Sequence, residues 1–246
     1  MVILQVRNLT RSFSRLVAVS DLCFDVSKGD IVGLMGPNGA GKTTVINLIS
    51  GFLKPDSGTI QWQDENIAGW KPFRIVHKGI ARTFQQARVF PKMSVYDNIT
   101  VSLTAKRRFL SVADSETKVL DILEFVGLDR RSSTLARELH QDELRKLEIA
   151  RAISSGPELI LLDEPVSGLT PEESDSIINI IKKLNQSGIT LIIIEHVMRM
   201  LMKVSHRLIV MSSGMKLFEG SPEEVSQNPQ VTEAYFGKEE EKIAHT

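Results

Sequence analysis

Over roughly the first sixty residues, apolar and polar positions alternate in the period-two manner of half-buried strands. "ILQVRNLTRSF" and "AVSDLCFDVSKGD" predict two such strands, with Gly29-Asp30 offering a turn. "IVGLMG" is instead continuously apolar, the pattern of a buried strand, and it runs into a glycine-rich loop. Helical spacing follows in "KTTVINLISGFL", then a turn at "PDSG" and a further strand at "TIQWQ". From about Arg88 to Gly156 the spacing becomes that of amphipathic helices, as in "SETKVLDILEFVGL" and "ELRKLEIARAI". Strand patterns return in "LILLDEP", "TLIIIEH" and "HRLIVMSSGMKLFEG". Thr170-Pro171-Glu172-Glu173 and Ser221-Pro222-Glu223-Glu224 each combine a capping box with proline at the first helical position. The expected architecture is α/β, with a helical insertion between two parts of a core. The charged tail "GKEEEKIAHT" is expected to fray.

Composition narrows the function classes. The 246 residues, 42% hydrophobic and 24% charged, suit one globular α/β domain with insertions. Thirty basic residues balance thirty acidic ones, so no global field would hold nucleic acid or an anionic membrane. Cys23 is the only cysteine and cannot form an internal disulfide. With no signal-peptide pattern, a reducing cytoplasm is the expected location. The longest strongly apolar stretch, around "ITLIII", is far short of the roughly 18 residues a membrane span needs. Membrane association would therefore go through a partner.

"GPNGAGKTT" spans Gly36, Pro37, Asn38, Gly39, Ala40, Gly41, Lys42, Thr43 and Thr44, and matches the phosphate-loop pattern between a strand and a helix. Glycines at 36, 39 and 41 let successive backbone N–H groups curl around phosphate oxygens, and the helix adds its positive end. Lys42 can reach the terminal phosphates, and the Thr43 hydroxyl can ligate Mg²⁺. In "LILLDE", Asp163 ends a buried strand where it can hold the Mg²⁺ shell. Glu164 follows, able to orient or deprotonate an attacking water. Both features together read as an ATP site with Mg²⁺.

Other residues keep a plain alternative. His196 ends the strand "TLIIIEH" and is either a surface residue or a γ-phosphate contact. Gln85 in "ARTFQQARVF" is either a surface amide or a contact to Mg²⁺ and water. Phe13 is either core or a ring stacked on adenine. The histidines at 77, 140, 206 and 245 carry no chemistry on this reading.

This order of features resembles the ATP-binding cassette family: Phe13, the loop 36–44, Gln85, the segment 139–143, Asp163-Glu164 and His196. "GIARTFQQARVFPKMSVYDNI", "LEIARAI" and "EHVMRMLMKVSHRLIVMSSGMKLFEGSPEEV" are similar to the ATPase subunits of branched-chain amino acid importers. The resemblance implies one cassette domain over residues 1–236 and a tail at 237–246. It implies a RecA-like P-loop core near 1–87 and 157–236, an antiparallel β layer, and a helical subdomain near 88–156. It also implies catalytic roles for Glu164, His196 and Gln85, metal contacts from Thr43, Gln85 and Asp163, and two subunits sandwiching two ATP molecules. Those subunits would drive two membrane permease subunits from the inner face of the cell membrane, with Val89, Phe90 and Met93 near the permease contact.

Several positions depart from the family pattern. The helical subdomain is shorter than expected for the larger importer ATPase, Thr170 stands where many cassettes have Asp, and His206 where an acid is frequent. The largest departure is Leu139-His140-Gln141-Asp142-Glu143, where the family has a Leu-Ser-Gly-Gly-Gln type signature that grips the opposite subunit's γ-phosphate. Acids in that first turn make a poor seat for phosphate, since a bare like-charge pair at ~4 Å costs about 4 kcal/mol at an effective dielectric near 20. Two functions follow: an ATP-hydrolysing importer subunit, or a nucleotide-gated clamp that turns ATP over weakly. Pairing with an intact-signature partner is favoured over self-pairing.

Overall fold

The computed structural model describes residues 1–106, 112–196 and 198–236. The tail from 237, with His245, lies outside the described residues. The first stretch of chain forms β1 (Val2–Phe13), β2 (Leu16–Ser27), β3 (Ile31–Met35), α1 (Lys42–Ile49), β4 (Ser57–Trp62) and β5 (Glu65–Asn66). The middle forms α2 (Pro72–His77), β6 (Ile80–Arg82), α3 (Val95–Lys106), α4 (Val112–Val126), α5 (Gln141–Ser154), β7 (Leu159–Asp163), α6 (Pro171–Gln186) and β8 (Thr190–Ile194). The last stretch adds α7 (Met198–Val204), β9 (Arg207–Ser212), β10 (Met215–Gly220), α8 (Pro222–Gln227) and α9 (Pro229–Phe236).

By packing, the chain divides into two compact units, residues 1–72 with 192 onward, and residues 73–191. In the first unit, β1 and β2 pair antiparallel from Val2 opposite Ser27 to Phe13 opposite Leu16, and β1 also pairs antiparallel with β4. The alternation read in the sequence is realised here. Leu4, Val6 and Leu9 of β1, Leu22 and Val26 of β2, and Ile60 of β4 are fully buried. The same unit holds β3 parallel to β9, and β9 antiparallel to β10.

His206, unusual by residue type, has a clear task in this unit. Its Nδ1 accepts the Ile31 N–H at 3.2 Å while the His206 backbone N–H donates to the Ile31 carbonyl at 2.9 Å. The ring nitrogen thus serves as the acceptor for a backbone donor at the start of β3.

In the second unit, β6 runs parallel to β7, with Ile80 opposite Leu159 and Arg82 opposite Leu161. All four leucine and isoleucine residues from Leu159 to Leu162 are fully buried. Each such side chain contributes roughly 1.5–3 kcal/mol relative to exposure, and that burial fixes the strand end where Asp163 sits. In this unit β6, β7 and α6 pack with α3, α4 and α5.

Both predicted capping boxes form. The Thr170 hydroxyl accepts from the Glu173 N–H at 3.3 Å, and the Glu173 carboxylate accepts from the Thr170 N–H at 2.8 Å. Threonine at 170 therefore performs the helix-capping task that Asp would perform. Ser221 and Glu224 repeat the pattern at 3.2 and 2.7 Å. The short elements β5, α2 and β6 are additions that periodicity did not reveal.

Candidate functional site

The loop between β3 and α1 is shaped by close backbone approach. Gly36 has φ +152°, and a Cβ there would lie 2.2 Å from the Met211 carbonyl oxygen. Gly41, the N-cap of α1, has φ +100°, and its Cβ would meet the Ala18 carbonyl oxygen at 2.2 Å. Any side chain at either position collides with immovable backbone, so the bend requires glycine. Lys42 is buried, and its Nζ donates to the Gly36 carbonyl at 2.6 Å and the Pro37 carbonyl at 3.0 Å. The ammonium is thus held over the loop that precedes it. Thr43 is exposed on the first turn of α1. This glycine-shaped cradle, with a cation folded across it at a helix N-terminus, fits a polyphosphate.

Phe13 lies in the same unit, at the β1 end of the hairpin whose second strand carries Ala18 against Gly41. Its ring is 41% exposed, with the Arg11 guanidinium 5.0 Å from the ring centroid. At that exposure the residue is outside the fully buried core. His196, also in this unit, is exposed after β8, and its backbone N–H donates to the carboxylate of fully buried Glu195 at 3.1 Å.

In the second unit Gln85, Asp163 and Glu164 are brought together with one residue the sequence did not single out. Arg82 Nη2 lies 2.9 Å from Asp163 Oδ2, and Asp163 is only 3% exposed. Burial pushes the Asp163 carboxyl up, and the Arg82 bond opposes that rise. Burial likewise lowers the Arg82 guanidinium. Glu164 follows with φ +49°, a left-handed conformation uncommon for a non-glycine residue. The bend turns its carboxylate to accept a 2.9 Å bond from the Gln85 side-chain amide. Asp163 and Gln85 offer hard oxygen donors, the chemistry Mg²⁺ prefers.

The chain that carries Gln85 is held by α5. Phe84 N–H donates to Glu148 Oε1 at 2.8 Å, and the Phe84 carbonyl accepts from Arg145 Nη1 at 3.0 Å. Arg88 N–H reaches the same Glu148 oxygen at 3.4 Å, and Arg151 donates to the Arg88 carbonyl. Arg145 and Glu148 are 7% and 5% exposed. Burial pushes the Glu148 carboxyl up to about 7, opposed by the bonds from Phe84 and Arg88 and by the charges of Arg145 and Arg151. A cleft of about 280 Å³ opens beside this group, lined among others by Phe84, Arg88, Ser102, Glu148 and Arg151. Nearby Phe90 is 42% exposed, with Arg151 4.8 Å from its ring centroid.

The altered signature segment forms the start of α5, with His140 as N-cap. Its charges are satisfied from within. Glu143 accepts from Arg131 Nε at 2.8 Å and from the His140 N–H at 3.0 Å, and Asp142 pairs with Lys146 at 2.9 Å. Gln141 donates to the Ser167 carbonyl at 3.2 Å and lies against Gly168. Each acid carries a cation, so the repulsion expected of bare carboxylates is an upper bound. The side chains nevertheless occupy the turn.

The family described as ABC transporter matches residues 19–167, more than half of the chain. The chain belongs to the ABC transporter ATPase family. A second family, described as branched-chain amino acid ATP-binding cassette transporter, matches residues 215–241. The high-affinity branched-chain amino acid transport ATP-binding protein BraF of Pseudomonas aeruginosa is 36% identical, over 96% of this chain and 98% of that protein. LivG of Escherichia coli, of the same description, is also 36% identical with the same coverage. Among solved structures, the ADP conformation of an ATP-binding cassette of an ABC transporter superposes with a TM-score of 0.86 at 32% identity, covering 97% of this chain and all of that one. The fold is therefore the RecA-like P-loop cassette that the sequence resemblance implied, and the antiparallel layer is the β1, β2, β4, β5 sheet. Among the described residues no helix is long and apolar enough to cross a membrane.

Proposed function

We propose that this cassette is the ATP-hydrolysing subunit of an importer for branched-chain or other amino acids, held at the inner face of the cell membrane by two permease subunits. The observation that carries the hydrolytic reading is the Gln85 amide bonded to the Glu164 carboxylate, beside Asp163. In the proposed reaction Glu164 takes a proton from the water that attacks the γ-phosphorus, and ADP departs with the bridging oxygen. Lys42 and the amides of the loop 36–44 hold the phosphates, Phe13 stacks on the adenine, and His196 contacts the γ-phosphate. Mg²⁺ would be held by oxygens of Thr43, Asp163 and Gln85, where it neutralises phosphate charge. The importer assignment is supported by the descriptions of BraF and LivG and by their near full-length coverage.

The exposed Phe90 and the adjoining cleft are the surface proposed to receive a permease segment, together with Val89 and Met93. The filled turn at His140–Glu143 favours weak service to an opposing γ-phosphate, so a heterodimer with an intact-signature subunit is the proposed working form. The same feature favours the second reading, a nucleotide-gated clamp with slow turnover. Copurification from the native membrane, with leucine uptake measured after deletion, separates the readings. An importer subunit brings down permeases and its loss abolishes uptake; normal uptake without it would overturn the assignment.

A further inference from the structure

Three polar side chains of α5, at 145, 148 and 151, recur every three residues and so lie along one side of the helix. All three bond the backbone of the segment that begins at Phe84 and ends at Arg88, and Gln85 lies inside that span. At each end both backbone groups are engaged: Phe84 donates to Glu148 and accepts from Arg145, while Arg88 donates to Glu148 and accepts from Arg151. Arg151 is itself steadied by Ser102 Oγ of α3 at 3.1 Å. Glu148 accepts from both ends. A buried carboxylate facing Arg145 and Arg151 on its own helix, Arg82 on β6 and the Arg88 segment is held in one geometry from several sides.

We infer that Glu148 is a positioning residue for hydrolysis: it fixes the Phe84–Arg88 backbone so that the Gln85 amide is presented to Glu164. This rests on the proposed roles of Gln85 and Glu164. Loss of the Glu148 acceptor removes a shared anchor from the part-buried Phe84 and Arg88 N–H groups, and the segment would move to replace those bonds. Gln85 would move with it, and Glu164 would lose its partner although nothing in the phosphate loop had changed. Nucleotide affinity should then hold while turnover falls.

The test compares Glu148→Ala and Glu148→Gln in the full chain. Amide hydrogen exchange is followed at Phe84 and Arg88, and single-turnover hydrolysis of Mg-ATP in the complex isolated from its native membrane. Glu148→Ala should speed exchange at Phe84 at least tenfold, leave the β7 amides protected, and cut the hydrolysis rate at least tenfold with ATP affinity within threefold. Glu148→Gln, whose Oε1 still accepts, should recover most of the protection and part of the rate. Unchanged exchange at Phe84 and Arg88 in Glu148→Ala would overturn the clamp. Faster exchange with an unchanged rate would overturn its role in hydrolysis. Glu164→Gln, run alongside, tests the underlying reading separately: wild-type hydrolysis by that variant would remove the catalytic site itself, whatever the exchange shows.

Discussion

The Gln85 side-chain amide donates to the Glu164 carboxylate at 2.9 Å, and Glu164 holds that position in a left-handed backbone conformation with φ +49°. A glutamate there costs of order 1–3 kcal/mol in backbone strain, which fits a residue kept for chemistry. Replacing it with glycine relieves the strain and removes the carboxylate. Glu164→Gly should therefore unfold at a temperature no lower than wild type while losing hydrolysis. Gln85→Ala should lower the single-turnover rate roughly tenfold to a hundredfold, since a hydrogen bond to a charged group is worth about 1.5–3 kcal/mol. A Glu164→Gly chain that melts well below wild type would show that the carboxylate is structural.

The proposed nucleotide contacts include Lys42 and Phe13. Lys42→Ala removes the cation folded over the glycine loop, and ATP affinity measured by calorimetry should collapse. Phe13→Ala should weaken binding by about 1–3 kcal/mol, the worth of a base–aromatic stack, with thermal stability unchanged because the ring is exposed. Lowered stability with unchanged affinity would reverse that assignment.

Glu148 makes stability depend on pH. Its folded-state value of about 7 lies above the 4.5 of an ordinary glutamate, so the folded chain binds the extra proton between those values. The resulting contribution is fully present below about pH 4.5 and is lost as pH rises through 7. A rise of that size corresponds to roughly 3 kcal/mol at 1.36 kcal/mol per unit. Urea unfolding of the wild-type chain should show this fall between about pH 4.5 and 7, and Glu148→Gln should flatten it. An equal slope in both proteins would place the proton elsewhere.

The turn at the start of α5 is occupied by its own side chains, with Asp142 on Lys146 and Glu143 on Arg131. Substituting Ser-Gly-Gly for residues 140–142 opens that turn and frees Lys146. Turnover by the self-paired chain should rise at least tenfold. Brisk hydrolysis by the unmodified chain, unimproved by the substitution, would mean that the altered turn is harmless.

What could be read from the sequence was local. Gly36, Gly41 and Lys42 announce their loop because the bend they make is encoded within nine residues, and Thr170 with Glu173 announce a helix start in four. Phe13 was ambiguous because exposure depends on the fold, and only the structure places its ring in the open beneath Arg11. Arg145, Glu148 and Arg151 looked like the charged positions of an amphipathic helix. Their partners are backbone groups near Gln85, 64 residues away between Glu148 and Phe84, which no period in the helix reveals. Arg82 and Asp163 are likewise joined across 81 positions. A charge on the side of α5 that meets the protein was the one available signal.

The most direct test of the account is single-turnover hydrolysis by Glu164→Gln in complex with the native partner subunits. The amide keeps the shape of the carboxylate but takes no proton from water. The variant should bind Mg-ATP as tightly as wild type, remain trapped in the nucleotide-bound assembly, and hydrolyse at least a hundredfold more slowly. Hydrolysis at the wild-type rate would contradict the assignment of Glu164 as the group that activates water.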